Sequence, residues 1–572
     1  MSAICGIIGT KDKAAVDAMA RAMAGRADLR YRTEGTGFAV AASHPIGKAL
    51  CLLDGSPFGG DGAELSAAQV HAECTASALP TQLNLRGPFA AVVALDDSHR
   101  WWLMRDRLGQ RPLFTYQGPN FLLFASELKG LLASGLVPKR LNLAAVDQYL
   151  TLRCVPGPDT MLHGVAHVPP GEVIEYSQGK ATRHRVWSFN LHSDPMSKES
   201  AAGRLCELLE QALARRTAPQ LLWSGGIDSA TLGALNSNLR PLFVRLDRLW
   251  QDEARRARDS ARRMGRALAI VPGRRITEDA FHKAIRNLDE PIADPSVLPW
   301  WLVLEAASGH GNRFVAGHGA DELLGGYARF HFMDKAKGAH RFVPAGLVSD
   351  LVPALPPNVF VRRASRSLAS IRDPQQSYLS LVSVFDREER QELYTDAMAS
   401  ALHELGEGSP PLRNVFTQPD LTANVMLLDL RVGFPNRLLT KCERLAAAHG
   451  ITLEHPYLDD ALVDFVLRIP ADIKFGVRSK PLLRYAMRER LPGPVRLRAR
   501  RGFRVPQGGH TVRVIENVAR QTVTPERVDA TGLFRWHTVE GILRSASHNV
   551  YRRRQFWALL MFFAWYRNVM ET

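Results

Sequence analysis

A short loop rich in glycine and serine offers the clearest chemistry in the sequence. The apolar run 221–223 leads into Ser224, Gly225, Gly226, Ile227, Asp228 and Ser229, and the helix-like stretch 230–235 follows. Glycines let the backbone approach an anion closely, and the free N–H groups at the start of a helix point toward it. The serine hydroxyls add donors, and Asp228 can hold a magnesium ion that bridges phosphates. The pattern predicts a phosphate-binding loop, although it lacks the lysine of a Walker loop.

A second loop carries the same kinds of residue. It follows the apolar run 313–316 and contains Gly317, His318, Gly319 and Asp321. Like the first loop, it leaves a strand through glycines and carries an acidic residue, so it supports the same interpretation.

Together the two loops resemble the synthetase domain of the asparagine synthetases and their relatives. The first loop also looks like the pyrophosphate loop of ATP pyrophosphatases, which cleave ATP between its α and β phosphates. Further segments resemble the family in the right order, so the resemblance covers nearly all of the chain: residues 5–9, 105–114, 125–129, 289–296, 438–444, 449–458, 479–483 and 555–562.

The resemblance implies roles for individual residues, with ATP and Mg²⁺ as cofactors. The residues expected to bind pyrophosphate are Ser224, Gly225, Gly226, Asp228 and Ser229. Asp228 and Asp321 would share the magnesium ions, and Val244 and Gly317 would lie beside the adenosine. Lys480 would stabilise charge on the reacting acyl-adenylate and the departing phosphates, as a fixed cation beside a developing oxyanion does.

Two regions with different patterns of apolar and turn residues must position these side chains. Up to about residue 190 the chain has short β-rich runs: 3–9, 90–95, 101–104, 121–126 and 172–176. Short alternating runs between glycine and proline turns favour packed antiparallel sheets. From about residue 197, helix-like stretches such as 252–266 separate buried runs at 220–223, 241–246, 268–271 and 313–316, which is typical of a parallel α/β sheet.

We therefore expect an α/β multi-domain protein. The resemblance implies that residues 1–190 form a degenerate glutamine amidotransferase-like domain, an Ntn-hydrolase-like αββα sandwich. Residues 198–572 would form the ATP-dependent synthetase domain, a PP-loop α/β fold of the adenine nucleotide α-hydrolase-like kind with helical additions.

The first domain departs from the family at three places. An active glutaminase needs its cysteine at the N-terminus, because the α-amine serves as the base, but Cys5 follows four other residues. The expected arginine-rich Arg-His-Arg-Gly-Pro-Asp string is replaced by residues 29–34, and the asparagine–glycine–glutamate string appears only as Asp54, Gly55 and Ser56. We expect the fold to persist without glutamine hydrolysis. The nucleophile should then be an amine of the substrate, which predicts a cyclase or ligase.

His318 helps to choose among relatives with an inactive glutaminase half. Asparagine synthetases commonly have Glu between the two glycines and β-lactam-type synthetases have Tyr, whereas His318 resembles the lasso peptide cyclases. A histidine with a pKa of about 6.5 could take a proton from an attacking ammonium. The alternative that His318 only packs in its loop stays open.

The predicted reaction is macrolactam formation in lasso peptide biosynthesis. ATP activates an Asp or Glu side chain of a linear core peptide, and the N-terminal amine of that peptide attacks the adenylate. The implied partners are the precursor peptide, a leader peptidase and a leader-recognition protein. An ammonia-dependent asparagine synthetase and a β-lactam-type synthetase are the alternatives in this class. An RNA-modifying ATP pyrophosphatase and a silent scaffold are the rivals outside it.

Composition sets the remaining limits. The 572 residues carry a net charge of +16, with arginine-dense patches at 362–366, 496–504 and 552–554 that we interpret mainly as solvated surface. No RNA-binding motif accompanies them, so we expect no nucleic-acid partner. The six cysteines lack metal-site spacing and fit a reducing cytoplasm. The longest apolar run, 556–565, is too short to cross a bilayer, which predicts a buried helix and no membrane association.

Overall fold

The chain folds into two compact units that interleave along the sequence. A computed structural model describes residues 2–47, 50–95, 99–189, 191–246, 251–330, 332, 367, 373–406, 421–476, 478–499, 505 and 508–571. The first unit comprises residues 1–142, 157–189 and 438–452, and the second comprises 143–156, 190–437 and 453–572. The units describe packing, and the domain boundaries expected from the sequence stay a prediction.

Two antiparallel sheets form the centre of the first unit. Its strands are β1 (Ile4–Ile8), β2 (Tyr31–Gly35), β3 (Phe38–Ala42), β4 (Cys51–Gly55), β5 (Phe89–Ala94), β6 (Arg100–Arg105), β7 (Phe114–Gln117), β8 (Leu122–Ala125), β9 (Val165–His167), β10 (Glu172–Ser177) and β11 (Lys180–Arg185). One sheet has the order β2-β3-β1-β8-β7-β9 and the other β11-β10-β6-β5-β4. All the pairings described within them are antiparallel.

Helices cover the outer faces of both sheets. The core between the sheets takes side chains from each of them, including Ile4, Phe124, Leu103 and Trp101. A second core on the other face of the β4–β6 sheet includes Val70 from the helix Ala67–Ala76. The helices of the unit are Lys13–Ala22, Ala67–Ala76, Leu128–Ala133 and Thr440–Ala448, with a 3₁₀ turn at Pro80–Gln82. The layers are therefore those of the predicted αββα sandwich.

Buried ion pairs tie the last segment of this unit to the rest. Arg444 donates from Nη1 to Glu127 Oε1 at 2.9 Å and from Nη2 to the Ser126 carbonyl at 2.7 Å. Arg111 donates from Nη1 to Glu443 Oε2 at 2.6 Å. These side chains lie almost wholly out of water. Because an unpaired buried charge is costly, the helix Thr440–Ala448 is integral to the first unit.

A parallel sheet organises the second unit. Its strands are β12 (Gln220–Leu222), β13 (Arg240–Arg245), β14 (Ala269–Pro272), β15 (Arg313–Val315) and β16 (Thr452–Glu454), in the order β14-β13-β12-β15-β16. Strand β12 pairs in parallel with β13 and β15, and β13 pairs in parallel with β14. All β runs expected from the sequence overlap observed strands, whereas β16 here and β2, β3, β4, β7, β9 and β11 of the first unit were not anticipated.

Helices make up most of the rest of the second unit. They are Leu143–Leu152, Lys198–Ala214, Ile227–Leu235, Gln251–Arg263, Glu278–Arg286, Val297–Ser308, Ala320–Leu323, Pro374–Val382, Arg387–Leu393, Asp396–Glu404, Leu421–Leu428, the π-helix Asp429–Leu439, the 3₁₀ turn Pro456–Leu458, Asp460–Arg468, Ala471–Lys474, Pro481–Ala486, Gly493–Arg496, Gly509–Thr522, Pro525–Thr531, Trp536–Ser545 and Val550–Val569. The last contains the buried run 556–565, as predicted. In the described part of the chain, no helix has both the length and the apolar character needed to cross a membrane.

The arginine-dense patches are less solvated than the sequence suggested. Arg498 and Arg553 donate to backbone carbonyls of their own unit, and Arg554 is half-buried. Guanidinium groups are suited to bridging several carbonyls, so a run of arginines can be part of a unit's internal bonding. Residues 362–366 lie outside the described residues, as do Arg500, Arg501 and Arg504.

Candidate active site

The phosphate loop lies between strand β12 and the helix Ile227–Leu235. Gly225 has φ +71, a conformation that side chains other than glycine rarely adopt. A Cβ on Gly225 would also lie 2.9 Å from the Cα of Ala257, in the neighbouring helix Gln251–Arg263. Gly226 is the N-cap of the helix and has no side-chain cap. The loop therefore presents backbone N–H groups at a helix start, where an anion binds favourably.

Serine hydroxyls complete the loop. Ser224 Oγ and Ser229 Oγ lie 3.2 Å apart, and the Gly226 N–H donates to Ser224 Oγ at 3.2 Å. The Ser224 N–H donates to Ser229 Oγ at 3.3 Å. Ser224 is exposed whereas Ser229 is buried. The solvent-facing side of the loop therefore offers a ligand Ser224 Oγ and the Gly226 amide beside it.

The second loop packs directly against the first. A Cβ on Gly317 would lie 3.1 Å from the Cβ of Asp228, so only a very small residue fits there. Gly319, at φ +93, would meet the side chain of Leu458. The Tyr457 hydroxyl donates to the Asp228 carbonyl at 3.2 Å. These close approaches place the residue between the two glycines, His318, next to the phosphate loop.

Lys480 joins the two acidic residues of the loops. Its Nζ lies 2.5 Å from Asp228 Oδ1 and 2.7 Å from Asp321 Oδ1. The Lys480 side chain is 2% exposed, while those of Asp228 and Asp321 are 28% and 21% exposed. Burial alone would lower the pKa of Lys480, but the two carboxylates raise it above its ordinary value. The ammonium is therefore charged at neutral pH.

Two partly exposed carboxylates beside a phosphate loop fit a magnesium ion. Mg²⁺ prefers oxygen ligands and is commonly held by one or two carboxylates together with substrate phosphates. Among the described residues, no group of three or more His, Cys, Asp or Glu side chains could hold a metal ion. A magnesium ion held by Asp228 and Asp321 would take its remaining ligands from oxygens of the nucleotide and from water.

The remaining residues expected at the site lie at the same sheet edge. Val244 is a buried residue near the carboxyl end of β13, the strand beside β12. His318 is half-buried, and its ring centroid lies 5.4 Å from that of Trp300 and 5.1 Å from that of His455. The structure thus brings His318 into an aromatic cluster, while its role as a base or as a packing residue stays a prediction.

Sequence reasoning missed several residues around this edge. Tyr457 contacts the Asp228 carbonyl, and Arg498 contacts the Gly225 carbonyl. Arg484 donates from Nε to the Ser479 carbonyl at 2.6 Å, directly before Lys480. Their bonds go to backbone carbonyls, which leave no pattern in the sequence.

We expect Gly225→Ala to damage the phosphate loop severely. The positive φ and the contact with Ala257 should together cost about 2 kcal/mol of the free energy of unfolding, and more if the helix must shift. The KM for ATP should rise about tenfold. Gly203→Ala is the control, because a Cβ there meets nothing within 4 Å in the helix Lys198–Ala214. Thermal unfolding and ATP titration would measure both effects, and an unchanged KM in Gly225→Ala would contradict the expectation.

The first unit holds the cysteine that the sequence marks as a former nucleophile. Cys5 lies within β1, paired with Ala41 and Ala125, and is fully buried. Burial raises the pKa of its thiol to about 12. Nearby in the sequence, the Ser2 hydroxyl donates to Asp54 Oδ1 at 2.9 Å, and Arg26 pairs with Asp54 Oδ2 at 2.6 Å. A protonated, buried thiol is a poor nucleophile.

Comparisons with known proteins agree with this arrangement. The family model described as "Asparagine synthase" matches residues 204–567, and the one described as "Glutamine amidotransferase domain" matches residues 71–187. A putative asparagine synthetase (glutamine-hydrolyzing) of Mycobacterium tuberculosis is 25% identical over 85% of this chain and 77% of its own length. Asparagine synthetase (glutamine-hydrolyzing) 1 of Bacillus subtilis is 23% identical over 84% and 77%. Amidase chry2 of Gibberella zeae is 22% identical over 81% and 76%. The asparagine synthase model matches more than half of the length of this chain. The chain therefore belongs to the asparagine synthase family, whose members are ATP-dependent amide-forming ligases.

Proposed function

We propose that this protein closes a macrolactam in a linear peptide, as in lasso peptide biosynthesis, at the expense of ATP. An Asp or Glu side chain of the core peptide would be joined to AMP with release of pyrophosphate. The N-terminal amine of the same peptide would then form the amide and release AMP. The partners of this reaction would be the precursor peptide, a leader peptidase and a leader-recognition protein.

One observation supports the proposal: two carboxylates and a lysine meet beside the phosphate loop, while Cys5 is buried. The Lys480 Nζ lies within 2.7 Å of a carboxylate oxygen of both Asp228 and Asp321, beside the phosphate loop. Cys5 is inaccessible, and the pKa of its thiol is about 12. An amide-forming ligase without its own glutaminase takes its amine either from free ammonia or from its substrate, and we propose the second. Of the amines a peptide offers, its N-terminal amine is the one we propose.

The residues of the site supply binding and charge. Bound MgATP would supply the reactive α-phosphorus and a leaving pyrophosphate. The loop residues Ser224 to Ser229 would hold that pyrophosphate, and the Lys480 ammonium would stabilise the negative charge that develops beside it. His318, at the edge of the phosphate loop, would accept the proton that the attacking ammonium loses. Holding both ends of the peptide on one protein supplies much of the acceleration.

A second candidate function is ammonia-dependent asparagine synthesis. It is favoured by the similarity to the relatives in Mycobacterium tuberculosis and Bacillus subtilis that are named asparagine synthetases. The adenylation chemistry would be the same, with free aspartate as the carboxylate and ammonia as the amine. The two candidates differ only in what occupies the substrate space, so product analysis separates them.

The test is a comparison of products with MgATP. One sample contains a linear peptide with a free N-terminal amine and an internal Asp or Glu, drawn from precursors encoded near this gene. The other contains aspartate and ammonium. A peptide lighter by one water, with one AMP for each ring, is the expected result. Asparagine formation with unchanged peptide would overturn the macrolactam proposal and leave the second candidate.

We expect Cys5→Ala to leave amide formation unchanged. The thiol is buried and, with a pKa of about 12, protonated at neutral pH, so it should contribute nothing to the supply of nitrogen. AMP release should stay within twofold, and neither protein should release glutamate from glutamine. Glutamate release by the unaltered protein that disappears in Cys5→Ala would show a working glutaminase and contradict this expectation.

A further inference from the structure

Arg498 ties the phosphate loop to the neighbouring helix. Its Nη1 donates to the carbonyl oxygens of Gly225, at 3.1 Å, and Arg256, at 3.0 Å. Its Nη2 donates to Asp259 Oδ2 at 3.0 Å. The side chain is 17% exposed. One guanidinium therefore fixes the loop and the helix Gln251–Arg263 relative to each other.

The carbonyl that Arg498 holds belongs to a peptide with little restraint of its own. The Gly225 carbonyl and the Gly226 N–H are parts of one planar trans peptide, so they point in opposite directions. Both flanking residues are glycines, which can rotate this peptide at little steric cost. Because Arg498 holds the Gly225 carbonyl, the Gly226 N–H points away from the guanidinium and toward Ser224 Oγ. The distance from the Gly226 nitrogen to Ser224 Oγ is 3.2 Å. The Ser224 side is the one on which a pyrophosphate would bind.

A second arginine connects this restraint to Lys480. Arg484 donates from Nε to the Ser479 carbonyl at 2.6 Å and from Nη2 to the Arg498 carbonyl at 3.1 Å. The Ser479 carbonyl belongs to the peptide that precedes Lys480, whose φ of 56 is unusual for a residue with a side chain. Arg484 thus holds the Lys480 peptide and the backbone of Arg498 together.

We propose that Arg498, supported by Arg484, is a positioning residue for pyrophosphate binding. Arg498 sets the direction of the Gly226 N–H. Arg484 fixes the position of Lys480 relative to Arg498. Neither guanidinium needs to touch the nucleotide for this role. The inference rests on the proposed function, because it takes the loop to be the pyrophosphate site.

The experiment measures binding of two ligands by calorimetry to the full-length protein. The ligands are inorganic pyrophosphate with Mg²⁺, which needs the loop, and AMP, which does not contain the β and γ phosphates. Arg498→Gln should weaken pyrophosphate binding about tenfold, the size expected for one charge-assisted hydrogen bond, and leave AMP binding within twofold. Arg498→Lys should recover part of the loss, since it can still reach a carbonyl with a charged donor.

Arg266, three residues after the end of the helix Gln251–Arg263, provides a matched control. Arg266 donates from Nη1 to the Gly233 carbonyl at 3.0 Å and from Nη2 to the Leu239 carbonyl. Arg266→Gln should lower the thermal midpoint and leave the affinities for both ligands unchanged. In the double variant Arg484→Gln/Arg498→Gln, the fold-loss of pyrophosphate affinity should be smaller than the product of the two single fold-losses. The reason is that both arginines act through the hydrogen bond that joins them.

The outcomes separate this inference from the proposed function. If the unaltered protein binds no pyrophosphate, the loop assignment fails and both fall. If it binds pyrophosphate but Arg498→Gln changes neither affinity, or weakens AMP and pyrophosphate alike, the positioning role is overturned and the proposed function stands.

Discussion

Lys480→Met is expected to slow AMP formation by about 100- to 1,000-fold, the usual loss when a fixed charge beside the developing negative charge is removed. The raised pKa of Lys480 keeps the ammonium charged across the neutral range, so the loss should be the same from pH 6 to 9. The stability effect should be smaller, about 2 kcal/mol, because Asp228 and Asp321 remain 28% and 21% exposed and water can solvate them. Quenched-flow measurement of AMP and thermal unfolding would give the two values.

An exposed ion pair provides the matched control. Lys283 Nζ lies 2.8 Å from Asp279 Oδ2 in the helix Glu278–Arg286, with side chains 52% and 66% exposed. Lys283→Met removes the same kind of charge from the same kind of partner, on an exposed helix surface, and should leave AMP formation unchanged. A Lys480→Met protein that retained more than a tenth of the activity would contradict the role in charge stabilisation.

Asp321→Asn should raise the Mg²⁺ concentration needed for activity about tenfold or more and lower the maximal rate about 100-fold. An amide oxygen is a weaker ligand than a carboxylate for a hard cation. Lys480 keeps Asp228 as a partner at 2.5 Å, so the folded state should be retained. The measurement is AMP formation across a magnesium titration, with Asp279→Asn as the control. An unchanged magnesium midpoint would remove Asp321 from the cation site.

The parts of the site that lie in continuous sequence could be predicted from it. The phosphate loop and the second loop each contain their glycines, hydroxyls and carboxylates within a few residues, and each follows a strand. The approach of Gly317 to Asp228 follows from two neighbouring parallel strands that end at one edge of the sheet. A single lysine such as Lys480 carries no such local signal, and only the resemblance to a family indicated it. The chemical roles of these residues stay predictions.

The contacts that hold the loops in place could not be predicted. Arg498 and Arg484 bond to backbone carbonyls that become their neighbours only when the chain is folded. All arginines of a basic segment look alike in the sequence, so the sequence alone favours a solvated surface for the run near residue 498. The packing of the helix Thr440–Ala448 could not be predicted either. Its sequence resembles the synthetase half of the family, but its Arg444 pairs with Glu127 in the first unit.

That helix also constrains the order in which the chain can mature on the ribosome. The first unit needs residues 438–452. Glu127 can pair early with Lys129, but its pair with Arg444 and the pair of Arg111 with Glu443 form only after residue 444 has been synthesised. Contacts so distant in sequence close slowly, and incomplete units expose surfaces that aggregate. A nascent chain that stops near residue 190 therefore has both sheets but lacks the helix whose Glu443 and Arg444 pair with Arg111 and Glu127, and we expect it to gain from chaperone protection until that helix is made.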